Sequence, residues 1–213
     1  MGVSLHYRGR LRCPDLIDPF IREVTDIAAS MEWECDSFDT IITPDDENVS
    51  LEYLNFWRPA GWTAVRLHGL FVSPHPQSEP LRFLFDPEAR LIDLLNIQFG
   101  TPPFAELPWL FTKTQYAGPQ THVDIVGLLK YLETKYFGEL HVEDEGTYWE
   151  TGDLDALKTR MGLIAGKLRQ VGEALDGLPK VPDEPAETTL DRIEAVLRRL
   201  ADEGSANASE TND

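Results

Sequence analysis

Cysteine, positive charge and long apolar runs are all scarce in this chain, and each shortage excludes something. Its 213 residues hold only 2 cysteines, Cys13 and Cys35. They make no metal-ligand spacing, so two reduced thiols of a cytoplasmic protein are expected rather than a disulfide framework. No apolar run reaches the roughly 18 residues of a membrane-spanning helix. The start, Met1-Gly2-Val3-Ser4, has no basic segment leading into an apolar one, so no secretory leader is read there. The patterns HExxH, CxxC and GxSxG are missing, and no acidic stretch has EF-hand spacing. No cofactor is therefore expected. Lys and Arg number 19 against 37 Asp and Glu, a net charge of −18. Phosphate contacts need a basic surface, so nucleic acid and anionic membranes are set aside as partners, and a basic protein partner is favoured.

What the chain does contain is a repeat. Residues 5–39 lay over residues 110–144 without a gap. Each stretch has a strand-like run, a proline (Pro14, Pro119), an amphipathic helix pattern and a second strand rich in carboxylates. In the first, Leu5, Tyr7 and Leu11 alternate with polar residues. Leu16, Phe20, Val24, Ile27 and Met31 then recur at helical spacing, and a strand is expected over 33–38. In the second, a strand around Phe111 to Tyr116 precedes a helix opened by Pro119, with Ile125, Leu128, Leu129 and Leu132 on its apolar face. Leu140 and Val142 mark the closing strand, and Thr147-Tyr148-Trp149 suggests one more short strand. Between the copies, strands are expected over 65–73, 80–85 and 90–97, separated by proline-rich turns. Residues 40–62 follow no clear pattern, although Asp45-Asp46-Glu47 resembles a turn or helix start and Leu51, Leu54, Phe56, Trp57 and Trp62 call for burial.

From Leu154 the spacing of Leu157, Met161, Ile164, Leu168, Val171 and Leu175 is a heptad seam. It could pack on the chain itself or make a homodimer through this C-terminal helix. Pro179, Pro182 and Pro185 form a linker, and Leu190, Ile193, Leu197 and Leu200 mark a last helix. The organisation expected is a duplicated α+β domain over 1–152, a helical appendage over 153–203 and a disordered tail over 204–213. The fold class is α+β, an antiparallel sheet with helices on one face, of ferredoxin-like or TATA-binding-protein-like shape.

Alternation puts Arg8, Arg10 and Arg12 on one side of the first strand, and the repeat sets Lys113 and Gln115 at the positions of Arg8 and Arg10. These are anion-binding candidates, although acidic residues of the closing strands (Glu34, Asp36, Glu139, Glu143) could pair with them instead. His68, His75 and Glu79 are weak metal candidates, since two imidazoles and a carboxylate suit a divalent ion. His122, with Asp124 and His141, reads as a satisfied core histidine or a general base. Two acidic stretches, 30–52 without a Lys or Arg and 139–155, could grip a basic partner or simply be solvated. The reading favoured is a non-catalytic acidic binding or adaptor protein for a basic partner. The alternative is an enzyme for a small anionic substrate, with Arg8, Arg10 and Lys113 holding the anion and His75, Glu79 or His122 supplying acid–base or metal chemistry.

Overall fold

Alternating apolar residues make Ser4–Leu11 a strand, β1, with Leu5, Tyr7 and Leu11 buried and His6, Arg8 and Arg10 turned the other way. The computed structural model describes residues 2–43, 46, 64–94, 107–176, 188, 190, 192–195 and 198. After a single 3-10 turn at Pro14–Leu16, helix α1 runs over Ile17–Ser30 and buries Phe20, Val24 and Ala28 at i, i+4, i+8 spacing. Strand β2 (Glu34–Ile42) follows, then β3 (Val65–Ser73) and β4 (Leu81–Phe85). Next come β5 (Leu110–Lys113), helix α2 (Pro119–Lys135) and β6 (Phe137–Asp144). A one-turn helix α3 (Tyr148–Thr151) and the long α4 (Leu154–Asp176) complete the order.

The architecture is mixed α/β with two small antiparallel sheets, ordered β5–β1–β6 and β2–β3–β4. Both repeat stretches are strand–helix–strand. They differ in placement: β5 and β6 flank β1 in one sheet, whereas β1 and β2 lie in different sheets. The two sheets are stitched by short contacts. Leu91 donates its amide to the Gly9 carbonyl, and Ile92 to the Leu84 carbonyl (both 2.9 Å). The Tyr7 hydroxyl accepts the Arg82 N–H at 2.8 Å and donates to the Arg82 carbonyl at 3.2 Å. Burial pushes this phenol up to about 12, against the opposing pull of those bonds. Phe20 packs edge-on against Phe83, Phe85, Tyr136 and Phe137, with centroids 5.1–5.9 Å away, so one α1 residue joins both sheets and the end of α2. Gly9 permits the close approach of β6, because a Cβ there would stand 2.6 Å from the Glu139 carbonyl oxygen.

Several expectations change. Thr147-Tyr148-Trp149 enters a helical turn, not a strand. Thr147 (φ 62°) and Gly152 (φ 65°) both adopt the left-handed conformation and bracket that turn. Over 90–94 only isolated bridges form, from Arg90 to Arg10 and Leu91 to Phe85, while 95–97 lies outside the described residues. Arg12 falls beyond β1 and donates to the Lys135 and Thr134 carbonyls (2.8 and 2.6 Å) instead of joining Arg8 and Arg10. Leu51, Leu54, Phe56, Trp57 and Trp62, the linker prolines, Leu197, Leu200 and the 204–213 tail also lie outside the described residues.

Contacts divide the chain into two compact units, Met1–Met161 and Gly162–Asp213. In the first, Leu157 and Met161 of the heptad seam are buried. In the second, Leu163 is 62% exposed. Among the described residues no helix is long and apolar enough to cross a membrane.

Candidate functional site

The sheet edge formed by β6 carries the densest polar chemistry. Its register against β1 sets Glu143 opposite His6, His141 opposite Arg8 and Glu139 opposite Arg10. Glu139, His141 and Glu143 are exposed on one face of the strand. Leu140 and Val142 point to the other, half-buried against the core. A groove of about 360 Å³ runs here, lined by Arg8, Trp109, His141 and Glu143 and by Glu133, Leu140, Val142 and Trp149. Residues from both faces of β6 line this single groove, so it crosses the edge of the sheet. Arg8 lies over the Trp109 ring, 4.5 Å from its centroid, and Lys130 over Trp149 at 5.3 Å.

The anion-binding candidates are only partly brought together. Arg8 and Arg10 share the outer face of β1, and Arg10 Nε donates to the Glu88 carbonyl at 3.1 Å. Lys113 sits opposite Ser4, with its ammonium 5.6 Å from the Tyr116 ring centroid. Gln115 is buried: its Oε1 accepts the Val3 amide at 2.9 Å and its Nε2 donates to the Met161 carbonyl at 3.4 Å. The acidic residues of β2 do not face these cations, since Glu34 is opposite Ser73 and Asp36 opposite Phe71.

The metal candidates are spent separately. His68 lies within β3, its Nδ1 3.3 Å from Asp18 Oδ1. His75 Nδ1 accepts the Gln77 amide (3.0 Å) within the β3–β4 turn. Glu79 exchanges two bonds with Lys113, Glu79 N to the Lys113 carbonyl and Lys113 N to Glu79 Oε2, both at 3.0 Å. Among the described residues no group of three or more His, Cys, Asp or Glu could hold a metal ion. Cys13 and Cys35 are both free thiols, and burial pushes the Cys35 thiol up against the opposing pull of the Thr25 hydroxyl.

His122 is fully buried, and its partners are neither Asp124 nor His141. Asp124 accepts from Gln120 at 2.8 Å, and His141 Nε2 sits 2.8 Å from Glu139 Oε1 at the surface. His122 Nδ1 is instead 2.8 Å from Thr114 Oγ1, and Nε2 is 3.0 Å from Asp144 Oδ2. Thr114 Oγ1 is also 3.2 Å from the Val3 carbonyl, which can only accept. Asp144 accepts the Gly146 and Trp149 amides as well, at 2.6 and 2.9 Å. Every polar atom of the trio therefore has a partner: Nε2 faces the Asp144 carboxylate, Nδ1 faces the threonine hydroxyl, and the Val3 carbonyl also accepts the Thr114 amide at 2.9 Å. Burial alone would raise the Asp144 carboxyl, but the hydrogen bond and charge of His122 and the two amides hold it below the usual range. The order Thr–His–Asp resembles a nucleophilic triad, yet Thr114 and the side chains of His122 and Asp144 have no solvent exposure. The arrangement therefore ties β5, α2, β6 and the turn into α3 together, with no route for a substrate to the hydroxyl.

A second polar cluster joins the two helices. Glu23 of α1 accepts from Lys135 Nζ at 2.5 Å and from the Tyr131 and Tyr136 hydroxyls. Those bonds, led by Lys135, draw its carboxyl down to about 2. Sequence spacing gave no hint of Glu23, because its partners lie more than 100 positions away. No protein-family model, curated protein or solved structure matches this chain.

Proposed function

We propose that this chain is a non-catalytic binding or adaptor protein whose acidic strands receive a basic protein partner. One observation carries the reading. The strands β2 and β6 each pair on one side only among the described residues, contain no Lys or Arg, and expose Glu34 and Asp36 on one and Glu139 and Glu143 on the other. An open edge with fixed negative charge favours a cationic ligand and speeds its encounter. The duplicated ferredoxin-like or TATA-binding-protein-like shape belongs to the same proposal, supported by the gap-free overlay of two strand–helix–strand stretches. So does assembly through the C-terminal helix, where Leu163 is exposed. The cytoplasm, with its reduced thiols, is the proposed setting.

The enzyme reading draws less support. His75 and Glu79 are engaged in turn and strand bonds rather than turned toward Arg8. Affinity capture from the native cytosol at about 50 and 500 mM salt tests the proposal. The expected partners are basic, leave at high salt and are lost when Glu34, Asp36, Glu139 and Glu143 are all changed to Lys. Partners that are acidic, or that stay bound at high salt to that variant, would overturn it.

A further inference from the structure

The way a partner would be held follows from the edge of β6, and this inference rests on the binding reading above. Among the described residues β6 hydrogen-bonds to β1 alone, over Phe137 to Asp144. Alternate amides and carbonyls of such an edge strand point away from its neighbour and form a template for one more strand. The groove of about 360 Å³ lies along this edge. Its two sides differ in chemistry. Glu139 and Glu143 stand on one face, two positions either side of His141. Leu140, Val142 and Trp149 form a half-buried apolar shelf on the other, with Glu133 beside it.

A strand laid on this edge would send its side chains alternately to the two faces. Those on the first face meet carboxylates, and those on the second meet the apolar shelf. We propose that β6 accepts, by strand addition, an extended segment of a partner protein in which Lys or Arg alternates with apolar residues. Arg8 does not oppose this, because it is held over Trp109 one strand inside the edge. A second copy of the chain is a poor occupant. Antiparallel pairing of two β6 strands about His141 would set Glu139 directly against Glu143 of the other copy, and like charges opposite one another destabilise a ladder. The same carboxylates disfavour a nucleic-acid strand.

The probes are synthetic nonapeptides added to the full-length protein and followed by amide NMR shifts and titration at low salt. One alternates Lys and Val. A second has the same composition with the lysines and valines in separate blocks. Two more carry the alternating sequence with N-methyl groups on every second residue, one along each edge of the peptide. The expected result is binding of the alternating peptide with shifts concentrated over residues 137–144. One N-methyl series should weaken binding at least tenfold while the other does not, since only one edge of an added strand bonds to β6. The block peptide should also bind at least tenfold more weakly, and Glu139→Lys with Glu143→Lys should abolish binding. Equal binding by all four peptides, or shifts confined to β2, would overturn strand addition while leaving an acidic binding surface. If no basic peptide binds, both the inference and the binding reading fall.

Discussion

The two strand–helix–strand stretches place an aspartate at the same position of their closing strands, and the two aspartates lead opposite lives. The gap-free overlay pairs Asp39 with Asp144 and Ile17 with His122. Asp144 has no side-chain exposure, and its fixed partners are one imidazole and two backbone amides. Asp39 is about half exposed and meets Arg66 in a two-point contact, both bonds 2.8 Å. In both, a hydrogen-bonded partner holds the carboxyl below its usual range, Arg66 for one and His122, against the burial, for the other. A shift in the same direction therefore accompanies very different structural importance. Desolvation makes the difference: a pair removed from water cannot lose one member cheaply, whereas water replaces a lost partner at the surface.

The sharpest break of this comparison is His122→Ala. It takes the imidazole from Asp144 and Thr114, leaving the buried carboxylate with only its two backbone amides, and removing one member of a buried pair costs about 3–5 kcal/mol. For a domain of this size, about 2–4 °C of melting temperature accompanies each kcal/mol, so calorimetry should show a fall of roughly 6–20 °C. A fall of only a degree or two would mean that the network is not a tie.

Acid should act on both stretches. Because the Asp144 and Glu23 carboxyls are depressed in the folded protein, the unfolded chain takes up their protons first as pH falls. Their contribution is complete above the ordinary carboxylate range and drains away below it, for Glu23 between about 4.5 and about 2. Denaturant unfolding followed from pH 6 to pH 2 should show wild-type stability falling through this window. Glu23→Gln should be less stable than wild type at pH 6 and lose less on acidification. Parallel curves for the two proteins would remove Glu23 from the account.

The smallest effect is expected at the surface. Arg66→Ala should leave the melting temperature within about a degree of wild type, and the little it costs should vanish in high salt. A loss matching that of His122→Ala would erase the contrast between the stretches.

These outcomes bear on what sequence patterns can convey. Strand β3 was legible to the residue, Val65–Ser73, because its apolar run is bounded by a proline-rich turn. Helices α1 and α2 were legible from apolar spacing. The turn of α3 was not, since Tyr148 and Trp149 favour strands and the group that holds the turn, the Asp144 carboxylate on the Trp149 amide, acts from five residues earlier. The burial of His122 could be read from its helix face. Its partners could not, because Thr114 looked like an ordinary strand residue and Asp144 like one more member of an acidic run. The opposite chemistry of the two sides of β6 was written in the alternation of Glu139, Leu140, His141, Val142 and Glu143. That its edge is open depends on strand order, which no local pattern specifies.

Strand β1 carries a consequence for how the molecule is made. It is the earliest strand in the chain and lies between two of the latest, β5 and β6. Thr114 reaches Val3 across 111 positions of sequence. On the ribosome, at about 5–20 residues per second, Leu5, Tyr7 and Leu11 therefore wait several seconds before their final neighbours exist. The newborn chain spends that interval with a sticky ribbon whose partners are still unmade, and a chaperone contact there would matter more to its yield than to its final stability.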